Sequence, residues 1–262
     1  MGKIKDMGEY LGSQELHRMS TWRAVLAEMV GTMVLVFIGC ASCLTWGDGG
    51  DKPSIVQIAF AFGITIASVA QAIGHVSGCH INPTITCGLL LSRYVSVTRA
   101  ILYITAQCMG SISGAAILYG LAPQNTRGNL GATQIADGVN LGQALGVEII
   151  ITFVLVLTVF GCVDERRSDV KGSAPLAIGL SVTACHLAAV PITGASMNPA
   201  RSFGPAVIIG TAWENHWVYW GGPIIGGLTA AILYTYLFRQ TKAESYDLEL
   251  DTYNKNTNTT NP

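Results

Sequence analysis

The sequence predicts an all-α membrane protein: six transmembrane helices and two re-entrant half-helices, arranged as two inverted repeats. Three observations carry this prediction. Charged residues make up only 12% of the 262 positions, against about 25% in a soluble domain. Two Asn-Pro boxes each open an apolar run too short to cross a bilayer. The order of features in the first half of the chain recurs in the second.

The apolar segments lie at about 22–46, 55–77, 98–119, 142–162, 174–191 and 217–238, and the whole stretch Ser54 to Leu91 lacks Asp, Glu, Lys and Arg. Each approaches or exceeds the roughly 20 apolar residues that a bilayer crossing needs. The first follows a polar stretch and has no small-residue cleavage site, so it is expected to stay as a permanent span. Glycines at 110, 114, 222, 226 and 227 suit helices that pack closely in lipid, where packing rather than a hydrophobic drive holds them together.

Charge gives the orientation. Twelve Lys and Arg residues fall in the N-terminal tail, the 93–99 and 163–173 loops and the C-terminal tail, against Lys52 and Arg127 on the other side. The positive-inside rule therefore expects both termini in the cytoplasm of a multi-pass protein. The expected organisation is a tail over 1–21, a membrane domain over 22–239 with repeats at about 22–120 and 142–239, and a disordered tail over 240–262. That last stretch ends in a polar run containing the glycosylation-type triplet at Asn258, which this orientation leaves unmodified.

Composition also excludes function classes. A net charge of -1 without a long Lys/Arg run gives no footprint for nucleic acid. Cys40, Cys43, Cys79, Cys87, Cys108, Cys162 and Cys185 have neither disulfide-framework nor zinc-ligand spacing, and most read as small buried hydrophobes. No nucleophile, metal or cofactor constellation suggests an enzyme.

The repeat is read from paired landmarks. Glu28 and Thr32 match Glu148 and Thr152, and Gly63 and Gly179 each lie 19 residues before an Asn-Pro box. Gly110 and Gly114 are expected to answer Pro223 and Gly227 in the sixth span. Three spans per half force the second half to enter the membrane from the opposite face.

The boxes are Asn82-Pro83-Thr84 and Asn198-Pro199-Ala200. Asn is a favoured N-cap, and Pro is favoured next, where its missing N–H costs nothing. Thr84 to Leu91 and Ala200 to Ile209 then reach roughly halfway through a 30 Å core at 1.5 Å per residue. Non-helical backbone at that depth must be buried in protein or line a wet cavity. Gly78, Cys79 and His80, with Gly194 and Ser196, are thus candidate pore-lining backbone. Gly78 and Gly194 allow the turn.

Paired boxes of this kind in inverted halves, with Gly78-Cys79-His80-Ile81 before the first and Arg201-Ser202-Phe203-Gly204-Pro205 after the second, strongly resemble the aquaporin family over about residues 20–240. The resemblance implies a pore in each protomer of a homotetramer that conducts water across a membrane, taken as the plasma membrane, with no cofactor. It implies that Phe62, His186, Ala195 and Arg201 form the selectivity constriction. His186 in place of a small residue, Ser202 in place of Asp, Ala206 and the Tyr219-Trp220 pair look like a water-selective member. It also implies that Glu28 and Glu148 bond the backbone of their own half's box loop.

Physics supports these roles. A buried Arg at membrane depth costs about 2.5–3.5 kcal/mol on insertion scales, which argues for function. Both half-helix N-termini point positive ends inward, repelling protons and cations.

Some features stand apart. Thr84 replaces the usual Ala, its hydroxyl either bonded to local backbone or facing the pore. Cys79 is expected at the cytoplasmic vestibule, where it offers mercurials a target while Ala195 removes the external one. His75 and His80 are expected near that vestibule in packing or loop support. The alternatives are a glycerol or small-solute facilitator on the same fold, a coupled transporter, and a closed-pore junctional protein.

Overall fold

The computed structural model describes residues 4, 6–47, 50–167, 172 and 174–239. The C-terminal tail expected over 240–262, with Asn258, lies outside the described residues.

The N-terminal tail contains structure. Asp6 caps α1 (Met7–Leu11) by accepting from the N–H groups of Gly8 and Glu9, and a 3-10 turn follows over Ser13–His17. This segment straps onto the 90–99 linker. Ile4 N–H donates to the Arg93 carbonyl at 2.8 Å, the Thr98 hydroxyl donates to the Leu11 carbonyl at 2.7 Å, and Arg99 Nε meets Glu15 at 2.6 Å.

Among the described residues six helices are long and apolar enough to span a membrane: α2 (Met19–Ala41), α3 (Ile55–Ser77), α5 (Val97–Leu121), α6 (Leu141–Val163), α7 (Ala174–Thr193), and α9 (Val218–Leu233), which a π turn extends through Phe238. α2 stops five residues before the expected 46. Trp46 folds back, and its indole N–H donates to the Ala41 carbonyl at 3.0 Å. The two half-helices are α4 (Pro83–Leu91) and α8 (Pro199–Ile209), each with Pro in its first turn and Asn as its cap.

Packing follows the inversion. α2 packs on α3 and α5 as α6 packs on α7 and α9, and α3 crosses α7 between the halves. Gly63 and Gly179 sit at that crossing, where a side chain on either would collide with the backbone of the other. The half-helices swap sides: α4 lies on α9, and α8 on α5.

The third and sixth spans correct the expected register. Gly110 rests on the Met29 carbonyl and Gly226 on the Ile149 carbonyl. Met29 and Ile149 each follow the repeat's glutamate, so Gly110 answers Gly226 rather than Pro223. One residue on, Ser111 and Gly227 are the matched pair: the Ser111 hydroxyl donates to the Ala200 carbonyl, and Gly227 faces Thr84.

Candidate functional site

Each box is preceded by a loop in a rare conformation. Gly78, Cys79 and Ile81 have φ of 86°, 50° and 42°, and Gly194, Ala195 and Met197 have 77°, 51° and 51°. Glycine takes this region freely. Residues with a Cβ, above all β-branched Ile81, do so at about 1–3 kcal/mol each and need their surroundings to impose it.

Two buried carboxylates impose it. Glu28 Oε1 accepts from the Ser77 hydroxyl at 2.6 Å and His80 N–H at 2.9 Å, while Oε2 accepts from Ile81 N–H at 2.6 Å and Gln107 Nε2 at 2.8 Å. Glu148 repeats the pattern with the Thr193 hydroxyl at 2.6 Å and the N–H groups of Ser196 and Met197, both at 2.9 Å. Tyr103 and Tyr219 brace the same loops by donating to the carbonyls of Ser77 and Thr193 at 2.9 and 3.0 Å.

The half-helices meet through their caps. Asn82 Oδ1 accepts from Thr84 N–H at 2.8 Å, and Asn198 Oδ1 accepts from Ala200 and Arg201 N–H at 3.1 and 3.3 Å. The amide groups then cross: Asn82 Nδ2 donates to the Met197 carbonyl at 2.9 Å, and Asn198 Nδ2 to the Ile81 carbonyl at 2.8 Å. Each NH₂ carries two donors, so one remains on each side. Both asparagines line a cavity whose wall also includes Gly78, Cys79, His80, Ser196, Phe62, His186 and Arg201.

One end of that cavity is built by three residues. The Phe62 and His186 rings stack at 4.5 Å, and the Arg201 guanidinium stands 4.7 Å over the Phe62 ring. Arg201 is 3% exposed, and its Nη1 donates to the Gly131 carbonyl at 2.7 Å. His186 Nδ1 lies 3.0 Å from the Val182 carbonyl. A carbonyl only accepts, so Nδ1 carries the proton and a neutral ring leaves Nε2 as an acceptor. That Nε2 and Arg201 Nε are both buried and have no partner in the protein.

The family described as major intrinsic protein matches residues 15–234. The chain belongs to that family, the aquaporins. It is 50% identical to Aquaporin-5 of Sus scrofa over 220-odd residues, covering 86% of this chain and 84% of that protein. It is 50% identical to Aquaporin-4 of Notomys alexis, covering 83% and 67%, and 47% identical to Aquaporin-5 of Mus musculus, covering 89% and 88%. Its fold matches the crystal structure of the aquaglyceroporin from Plasmodium falciparum with a TM-score of 0.73 at 22% identity, over 83% of this chain and 97% of that one.

Against this aquaporin frame, some expected residues stand elsewhere. Ala195 and Gly194 are not among the residues lining the cavity; Ala195 is buried, with its N–H donating to the Thr193 hydroxyl at 3.2 Å. Thr84 meets neither expectation. It is buried, absent from the cavity wall, and its hydroxyl has no partner. His75 is exposed at the end of α3, so packing does not explain it. His80 is buried, with Nδ1 3.1 Å from the Thr86 hydroxyl and its ring edge-on to Tyr103 at 5.1 Å. Ser196 and Ser202 form the matching contact in the second half at 2.7 Å.

Several further residues hold the site together. Gln107 links Glu28 to Thr86, Thr133 reaches Ser202 at 2.8 Å, and Gly131 holds Arg201. The offset of 116 between the boxes could have flagged Tyr103 with Tyr219. Nothing in the identity of Gly131 signals that its carbonyl is the contact.

Proposed function

We propose that residues 22–239 form a passive channel that carries water down osmotic gradients and excludes glycerol, protons and ions. The single observation that carries this is the pair of crossed asparagine amides on the cavity wall, each with one N–H left over. A water held by both donors presents its lone pairs to them and points its hydrogens away, so it cannot relay a proton through that point. The half-helix N-termini add positive potential at the same depth.

At the constriction, Arg201 Nε offers a donor and His186 Nε2 an acceptor, which suits water. Phe62 closes the remaining side with a surface that forms no hydrogen bond. A glycerol carbon chain needs room where the His186 ring stands. Elsewhere the wall is apolar, with Leu35, Ile66, Val182 and Leu155, so water keeps few bonds and moves freely. Glu28 and Glu148 act as scaffold, with no enzymatic chemistry implied. The family resemblance and the relatives named aquaporin support a homotetramer. The Lys/Arg asymmetry supports cytoplasmic termini, and the plasma membrane is the proposed site.

Osmotic shrinkage of proteoliposomes tests the reading, with sucrose and then glycerol gradients beside a proton-leak assay. Fast, weakly temperature-dependent water flow with neither glycerol nor proton flux is expected. Absence of flow would favour a junctional role, glycerol flux a facilitator, and dependence on an ion gradient a transporter.

A further inference from the structure

The segment ahead of the first span has one side on the protein and an apolar side in the open. Tyr10 turns inward: its hydroxyl donates to the Leu90 carbonyl at 3.3 Å, and the Arg93 guanidinium lies 5.1 Å over its ring. Met7 and Leu11 are four apart on α1 and so share a face, yet they are 59% and 55% exposed. Glu9 stands two residues from each, on the opposite side of the helix.

That apolar face continues into the membrane domain. The Trp22 indole N–H donates to the Leu16 carbonyl at 2.9 Å, which holds the 3-10 turn against the foot of α2. From there Met19, Trp22, Leu26 and Val30, spaced by three or four residues, form one exposed stripe along α2, a helix long and apolar enough to cross a bilayer. The bond from Thr98 to the Leu11 carbonyl brings Leu11 to the foot of α5, where Ile101, three residues on from Thr98, is also exposed. Arg18, Arg23 and Arg93 are exposed at this same end, while Arg99 is committed to Glu15.

We propose that Met7, Leu11 and Leu16 seat this segment in the headgroup–acyl boundary of the membrane, as a docking surface for anionic lipid. An interfacial helix binds through buried apolar area together with the attraction of basic side chains to anionic headgroups. Continuity with the exposed stripe of α2 selects lipid as the occupant, and Trp22 is of the type that settles at headgroup level. Arg18 and Arg23 flank the point where the chain enters the bilayer, within reach of lipid phosphate, which the Arg fork matches well. The segment bonds residues 90–98, directly after α4, through Ile4, Tyr10 and Leu11. Lipid that holds it therefore steadies the base of the first half-helix.

Hydrogen exchange on the full-length protein in nanodiscs tests this, with phosphatidylcholine alone and with phosphatidylserine added. The amides of Tyr10, Gly12, Glu15 and Arg18, which donate to carbonyls within the segment, are the reporters. They should exchange several-fold more slowly when phosphatidylserine is present, and added salt should remove that difference by screening. Arg18→Gln combined with Arg23→Gln should erase the phosphatidylserine effect alone. Leu11→Gln keeps the carbonyl that Thr98 bonds, yet should speed exchange several-fold in both membranes, with Leu11→Met restoring protection. Met7→Gln serves if Leu11→Gln does not fold. Equal exchange of the wild type in the two membranes would overturn the anionic preference, and unchanged protection in the glutamine variants would overturn the apolar seating. Protection that appears only when a second protein is added would assign this face to a protein partner instead.

Discussion

The side chain of Thr84 fills the space that any side chain at Gly227 would need. A Cβ at position 227 would collide with the Thr84 methyl, while the Thr84 Cβ itself is 3.6 Å away and Val156 Cγ2 3.2 Å. The departure in the first box is therefore matched by a glycine in α9.

A double-mutant cycle follows from this contact. Gly227→Ala should destabilise the protein by about 1–3 kcal/mol through overpacking. The same change with Thr84→Ala should recover most of that loss, because only Val156 then has to shift. Additive effects in thermal unfolding would show that the two residues are not coupled. Thr84→Val should raise stability by about 1 kcal/mol, since it replaces an unpartnered buried hydroxyl with a methyl of similar shape, and water flow should stay the same.

Glu28→Gln should be severe. An amide has one accepting oxygen, and its NH₂ would face N–H groups that now donate to a carboxylate. Orphaned loop donors cost about 1–3 kcal/mol each, and the left-handed conformation at Cys79 and Ile81 loses its restraint. A melting temperature within error of wild type in detergent would remove the scaffold role.

His186→Ala should admit glycerol. It removes a ring stacked on Phe62 and widens the constriction, so glycerol flux should rise from background while water flow persists. Glycerol exclusion unchanged in the variant would place the discriminating step elsewhere.

Acid should weaken the far end of the second repeat. His216 precedes α9 in a buried position between Trp213 at 4.9 Å and Tyr219 at 6.0 Å. Burial lowers its pKa below the usual histidine value, and the bond to the Ala212 carbonyl only partly opposes this. The folded protein thus favours the neutral ring, and the unfolded chain binds the proton more readily. Stability should fall as pH drops below about 6.5. Thermal unfolding of wild type and His216→Gln, compared at about pH 7.5 and about pH 5.5, should show the smaller pH effect in the variant.

What could be read from the sequence was what side-chain identity carries. Asn before Pro announces a helix start, and a glutamate inside an apolar span demands partners, so the half-helices and both carboxylates were legible. The register of α5 against α9 is legible only through the box offset of 116, which pairs Tyr103 with Tyr219 and Gly110 with Gly226. Glu28 and Glu148 are 120 residues apart but the boxes 116, so the offset changes within the repeat, and a four-residue glycine spacing by itself pairs Gly110 with the wrong residue. Gly131 and Ala195 mark the other limit. One acts through a backbone carbonyl that any residue would supply, and the other has too small a side chain for its position to fix what it lines. The Asp6 cap was visible in principle, yet helices as short as α1 depend on the 90–99 linker that receives them.

The crossed amides also make each half depend on the other. With only the first half in place, the Ile81 carbonyl and the Asn82 Nδ2 group lack the partners that Asn198 and Met197 supply. An unsatisfied polar group in hydrocarbon costs several kcal/mol, so these two groups favour the arrangement in which both halves are present. The two halves therefore complete one another: each box supplies the acceptor for the other's amide, and neither half alone contains that pairing.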